Sequence, residues 1–149
     1  MYRHILVPTD GSALSNKAIK AATSLARGMK ARITALYVVE PFVPHISGEA
    51  AIVLNRPDLR ESYEKATAAH ANQALGKVEA AAARAKVKCD RVTVTGRHPW
   101  DGIVNTAHDR KCDLIVMASH GRRGLEGLLL GSETQKVLTH SKTPVLVCR

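Results

Sequence analysis

The stretch Asp113–Ser132, DLIVMASHGRRGLEGLLLGS, constrains the fold more than any other part of the chain. It opens on a continuous apolar run, Leu114-Ile115-Val116-Met117-Ala118. A strand that is apolar on both faces belongs inside a parallel sheet covered on both sides. Gly121, Gly124, Gly127 and Gly131 follow, four of the chain's ten glycines. Next, Ser132-Glu133-Thr134-Gln135 has the Ser-x-x-Gln pattern of a capping box, which places a helix start at Ser132. Strand, glycine loop and capped helix start together suit an anion. Glycines let backbone N–H groups approach phosphate oxygens, and a helix N-terminus adds unpaired donors and partial positive charge. A plain flexible surface loop is the alternative, and the motif alone does not decide between them.

The remaining chain alternates strand and helix patterns. Arg3–Pro8 reads as a strand centred on Ile5, Leu6 and Val7, and Pro8, which has no donor, ends its pairing. Thr9-Asp10-Gly11-Ser12 is a tight turn with Ser12 as N-cap. Leu14, Ala18, Ala22, Leu25 and Met29 then recur at helical spacing. Ala31–Val39 is a second strand. Residues 40–57, with Pro41, Pro44, Gly48 and Pro57, form a long connection that suits a lid or an insert, or a short helical turn at Ala51–Leu54. A long helix follows from about Asp58 to Lys86, with Leu59, Tyr63, Ala66, Ala71, Ala74, Leu75, Val78, Ala82 and Ala85 on its buried face. Lys88–Thr95 is a third strand. Pro99 fits the first position of a helix whose inner stripe is Trp100, Ile103, Val104 and Ala107. After the fourth strand, Leu114–Ala118, and the helix from Ser132 to about His140, Thr143–Cys148 is a last strand.

This order predicts the α/β class: one domain over residues 1–149, with a five-stranded parallel sheet between two helical layers. With strand order 3-2-1-4-5, strands one and four adjoin at the switch point, where ligands of open parallel sheets bind. Strand one delivers Pro8, Thr9 and Asp10 to that crevice, and strand two delivers Val38, Val39 and Glu40. Strand four and its loop deliver Met117, Ala118, His120, Gly121 and Arg122, and the next helix delivers Gly131, Ser132, Glu133 and Thr134. A nucleotide fits this arrangement. Asp10 can accept from ribose hydroxyls or hold a phosphate-bound Mg²⁺. Main chain near Val39 can read an adenine edge. Gly121, Gly131 and Ser132 can cradle phosphates. Asp10 equally suits a turn residue that stabilises its own backbone. His120 can donate to a phosphate or sit as an ordinary surface histidine. Glu133, at a helix start, opposes a phosphate.

Composition removes other classes. The net charge of +9 favours acidic partners, but the cations are scattered and only five aromatics exist, which argues against specific nucleic-acid recognition. No apolar run approaches the ~20 residues that span a bilayer, and no signal peptide precedes the first strand. Cys89, Cys112 and Cys148 have no metal-ligand spacing, which predicts reduced thiols in the cytoplasm without a zinc site. There is no P-loop, nucleophile elbow, G-x-G-x-x-G or H-E-x-x-H motif. Nothing pairs a nucleophile with a general base, so an enzyme is not predicted, and slow metal-assisted hydrolysis of a bound nucleotide stays open. Val145-Leu146-Val147 lies on a sheet edge under this order and predicts antiparallel pairing with a second copy.

Thr9-Asp10-Gly11-Ser12, Ala118-Ser119-His120-Gly121 and Gly131-Ser132 together resemble the universal stress protein family, over nearly the whole chain. The resemblance implies a flavodoxin-like, adenine nucleotide alpha hydrolase-like sandwich. It also implies a homodimer of the stress response that binds ATP, with or without Mg²⁺, and acts on a regulatory partner. The family's ATP-binding branch carries Gly-x-x-Gly, nine residues, then Gly-Ser or Gly-Thr. Here Gly121 and Gly131-Ser132 fill the later positions, and Ala118 stands at the first glycine. A nucleotide-free interaction module, which Ala118 and Glu133 favour, is the competing expectation.

Overall fold

The computed structural model describes residues 1–42, 56–120 and 130–149. Gly121, Arg122 and most of the 40–57 connection, including Ala51–Leu54, lie outside the described residues. Strands and helices alternate as β1 (His4–Pro8), α1 (Ala13–Met29), β2 (Arg32–Val39), α2 (Pro57–Arg84) and β3 (Cys89–Thr95). Then come α3 (Pro99–Asp109), β4 (Leu114–Ala118), α4 (Ser132–His140) and β5 (Val145–Cys148). All pairings are parallel, in the order β3-β2-β1-β4-β5. The expected fold class and strand order hold.

Alternation along the strands divides the core in two. Ile5, Val7, Ile33, Ala35, Leu114 and Val116 face one side and pack with Ala18, Ala22 and Ala26 of α1 and Ala71, Ala74 and Val78 of α2. Leu6, Leu36, Ile115 and Met117 face the other and pack with Ile103 and Ala107 of α3 and Val137 of α4. Alanine on the first pair of helices lets them lie close to the sheet. The expected α3 stripe is correct, with Trp100 and Val104 at its margin.

Two local expectations need correction. The buried face of α2 begins at Ala71, whereas Leu59 is 40% exposed and Ala66 is also exposed. The reason is length. Twenty-eight residues make a helix of about 42 Å, and the eight-residue β2 beneath it spans about 26 Å. The first turns therefore run past the sheet, where Tyr63 donates to the Glu40 carbonyl at 3.0 Å and meets the Phe42 ring. The second correction concerns α4. Its N-cap is Gly131, not Ser132, and no side chain caps it. The Gly131 N–H is held by the Ser119 carbonyl at 2.8 Å, and the Gly131 carbonyl accepts from Gln135 N at 3.0 Å. Ser132 is thereby drawn into the helix, and the Gln135 side chain donates to the Leu130 carbonyl instead.

Ser12 does cap α1, accepting from Ser15 N at 3.3 Å. Helices α1, α2 and α3 all end the same way. Ala31, Val87 and Cys112 donate back to Ala26, Ala82 and Ala107, five residues earlier, at 2.8–2.9 Å. This Schellman closure needs a left-handed residue just before the donor. Glycine usually provides it; here Lys30, Lys86 and Lys111 take φ of 56°, 58° and 54°. The thiols are free, and burial pushes that of Cys112 up to about 11.

His4 is buried in β1, with Nε2 2.7 Å from Thr34 Oγ1. Burial first, then the Arg32 guanidinium, lowers its pKa from 6.5. A lowered pKa means that the unfolded chain takes up the proton more readily. The contribution to stability is thus complete above about pH 6.5 and is lost as pH falls toward the folded value. His4→Gln keeps a partner for Thr34 without this titration. Its urea midpoint is expected to fall less between pH 7.5 and 5.5 than that of the parent.

Candidate functional site

A crevice of about 410 Å³ opens at the carboxyl ends of the strands, where β1 and β4 adjoin. Pro8, Thr9 and Asp10 line it from the end of β1; Met117, Ala118 and His120 from β4; and Gly131, Ser132, Glu133 and Thr134 from the start of α4. The structure thus brings together the predicted residues that it describes, except Val39. Val38 and Glu40, expected from the end of β2, line it as well. Residues that were not predicted there complete the wall: Tyr37 from β2, and Arg97, His98 and Pro99 from the turn into α3. The signal for that turn was Gly96, which marks another strand end on the same side of the sheet.

Each wall is braced. Thr9 N donates to the Leu36 carbonyl at 2.9 Å, and Thr9 Oγ1 accepts from Gly11 N at 3.2 Å. Asp10 Oδ1 accepts from Ser12 N at 3.0 Å, the turn bond expected of it. Gly11 has φ of +80°, and a Cβ there would lie 3.0 Å from His70 Nε2, so only glycine passes between α2 and the turn. His70 Nε2 in turn donates to the Asp10 carbonyl at 3.0 Å.

Strand parity explains the position of Val39. Successive residues of β2 bond toward opposite neighbours. Leu36 bonds toward β1, and the Val39 carbonyl accepts from Gly96 N at 2.9 Å on the β3 side. Val38 has the parity of Leu36, but pairing with β1 stops at Pro8↔Leu36. Its main chain faces the space that β1 has vacated, which is the crevice. Val39 lines a neighbouring cavity between β2 and α2.

The wall between β4 and α4 is held by the carbonyls at the end of β4. The Gly131 N–H donates to the Ser119 carbonyl, and Thr134 Oγ1 donates to the carbonyls of Ala118 and Ser119, both at 3.1 Å. Gly131 has an ordinary φ of −70°. Its role is close approach, since a Cβ would lie 3.2 Å from the Ser119 carbonyl and 3.4 Å from His120 Cα. His120 Nδ1 sits 3.1 Å from Ser119 Oγ, and its buried Nε2 has no partner among the described residues. Ala118 ends β4 and is not among the residues with positive φ, so its methyl group imposes no backbone strain.

Glu133 has a task that the sequence did not reveal. Its Oε2 accepts from Trp100 N at 2.8 Å, and its Oε1 lies 3.6 Å from Lys136 Nζ. His98, the N-cap of α3, makes no side-chain cap bond. Glu133 supplies that cap from the neighbouring helix, which holds much of its charge against α3. Among the described residues no group of His, Cys, Asp or Glu is arranged to hold a metal ion, and no helix is long and apolar enough to cross a membrane.

A doubly wound α/β sandwich with a braced crevice at its switch point defines a class of small ligand-binding domains. The family model of the universal stress protein family matches residues 1–149. A universal stress protein of Methanocaldococcus jannaschii is 36% identical over 100% of this chain and 83% of its own length. The universal stress protein UspA from Lactobacillus plantarum superposes with a TM-score of 0.84 at 29% identity, over 99% of this chain and 98% of that one. A universal stress protein crystallised in complex with cAMP gives 0.66 at 28% identity, over 99% and 97%. The chain belongs to the universal stress protein family.

Removing the Glu133 cap is expected to cost about 1 kcal/mol of stability. In urea denaturation, Glu133→Ala should lose about that much and Glu133→Gln, which can still accept from Trp100 N, a minor part of it.

Proposed function

We propose that the crevice binds an adenine nucleotide, ATP with Mg²⁺ included, and that occupancy tunes a regulatory contact of a cytoplasmic homodimer. The observation that carries this reading is the convergence on one crevice of the β1 turn, the end of β2 and the glycine-flanked start of α4. The relative bound to cAMP supports the adenine class. A volume of about 410 Å³ lies within the ordinary range of small-ligand sites. In this reading Val38, rather than Val39, meets the adenine edge through its main chain, and Asp10 meets the ribose. The phosphates sit against Gly131, the first N–H groups of α4 and His120 Nε2–H. His120 Nε2, which has no partner among the described residues and adjoins the start of α4, suits a phosphate oxygen. Mg²⁺ would arrive with the phosphates, with Asp10 as a carboxylate to hold it. Regulation rather than fast turnover is the role this reading assigns, and slow hydrolysis stays compatible with it.

Thermal unfolding tests the reading. A ligand that binds only the folded state stabilises it by RT ln(1 + [L]/Kd), about 2.7 kcal/mol at a hundredfold excess. ATP with Mg²⁺, and cAMP, should each raise the midpoint in a concentration-dependent way. Gly131→Val should remove the shift while the variant remains folded by circular dichroism. No shift at several millimolar of either nucleotide refutes the assignment.

The dimer reading rests on β5, which among the described residues pairs only with β4 and leaves Leu146 39% exposed on the sheet edge. Antiparallel pairing with a second copy would complete that edge. Light scattering should give a dimer for the parent and a monomer for Leu146→Asp; a monomeric parent would end this reading.

A further inference from the structure

In an α/β sandwich each helix runs opposite to the strands, so helix ends and strand starts share one end of the domain, far from the crevice. That end gathers cations that are scattered in the sequence. Lys86 and Lys88 precede β3, Lys30 and Arg32 open β2, Arg3 precedes β1, Arg110 and Lys111 precede β4, and Lys142 precedes β5. Arg27 and Arg84 add the last turns of α1 and α2. All ten side chains are exposed. Among the described residues, only Arg32 of these ten has a carboxylate within 4.0 Å, that of Asp90. The other carboxylates nearby are Asp113, which accepts from Arg3 N and His4 N, and Asp109, which lies beside His108. Ten cations against three carboxylates leave this end with +7 of the chain's +9.

Compensation of helix dipoles explains Arg27 and Arg84. It does not explain Arg3, Arg32, Lys88 or Lys142, which lie on the strand side. Nor does it explain why lysine takes the left-handed position of all three Schellman turns. A side chain is disfavoured there where glycine is not. Three strained lysines at equivalent positions hold charge on this face at the expense of stability, which is a mark of a functional surface.

The order β3-β2-β1-β4-β5 sets these residues in a row across the sheet. Neighbouring strands are ~4.8 Å apart, so the row runs for about 19 Å. We infer that this basic end face binds the phosphodiester backbone of a nucleic acid duplex without reading its sequence. A row of exposed point charges suits an extended polyanion. A duplex offers the densest regular one, about one charge per 1.7 Å of axis. The aromatic beside the row, Tyr2, packs against the core and does not stand among the cations as a platform for unpaired bases.

The test is fluorescence anisotropy of a labelled 20-base-pair duplex with the full chain at 50 and 200 mM salt. The parent should bind, with affinity falling steeply as salt rises. Lys30→Gly, Lys86→Gly and Lys111→Gly combined should bind at least ~10-fold more weakly at 50 mM, with a log–log salt slope shallower by about 2 to 3. These changes relieve left-handed strain, so the variant should unfold at no lower a temperature and misfolding cannot account for the loss. Lys17→Gln, Lys20→Gln and Lys65→Gln combined remove the same charge from elsewhere and should keep most of the affinity. Absence of duplex binding at 50 mM overturns the inference. So does equal weakening by the two triple variants, which would mean net charge alone. Binding to phosphatidylserine vesicles but not to the duplex would assign the face to a membrane and also overturn it.

Discussion

The central position of β1 governs this molecule. Ile5, Leu6 and Val7 are fully buried, and the strand pairs in parallel with β2 on one side and β4 on the other. Because neighbouring side chains point to opposite faces, the same three residues anchor both cores. The chain leaves β1 toward one neighbour and returns later to the other, so the connections diverge at its carboxyl end. The crevice is the space this divergence leaves. Pro8 ends pairing just there, and Val38 therefore runs on past its neighbour with its main chain facing that space. A single strand thus sets the core, the topology and the place where a ligand can enter.

The crevice walls are held mainly by backbone groups. Ser119 and Gly131 join β4 to α4, Thr9 and Leu36 join the β1 turn to β2, and Gly96 and Val39 join the turn before α3 to β2. Side chains then lock these turns from behind. Thr134 holds the end of β4, Glu133 caps α3, and His70 with Lys77 fastens α2 to the carbonyls of Asp10 and Gly11. Such bracing fixes donors in advance, which lowers the ordering cost of ligand binding. It also ties the long helix α2 to the β1 side of the crevice, although most of its first turns lie beyond the sheet.

Much of this was legible from local chemistry. Strands one, four and five declared themselves through apolar runs and strands two and three through alternation, Ser12 through its place before a helical period, and the crevice through topology once the strand order was assumed. What stayed hidden depends on relations between elements. Parity against β1 separates Val38 from Val39, and neither residue's own chemistry does so. Glu133 reads as an unfavourable charge until α3 is seen to need a cap. Leu59 and Ala66 carry the right period for burial, but no period tells where the sheet beneath a helix ends. Ser132 has the pattern of an N-cap and does open the helix, but the bond between Ser119 and Gly131 gives the cap position to Gly131.

Charge follows the same logic as parity. Along the chain, Lys30, Lys86 and Lys111 are separated by long intervals and form no basic block. Folding places them at equivalent turns because each closes a helix that returns to the same edge of the sheet. A parallel α/β fold therefore converts a repeated local choice, lysine after a helix, into a continuous surface. The acidic residues Asp10, Glu40 and Glu133 line the opposite end. One chain thus carries a crevice edged by carboxylates at the strand ends and a cationic face at the strand starts. The two are linked by the strands themselves, so the sites can share one rigid frame without sharing a single residue.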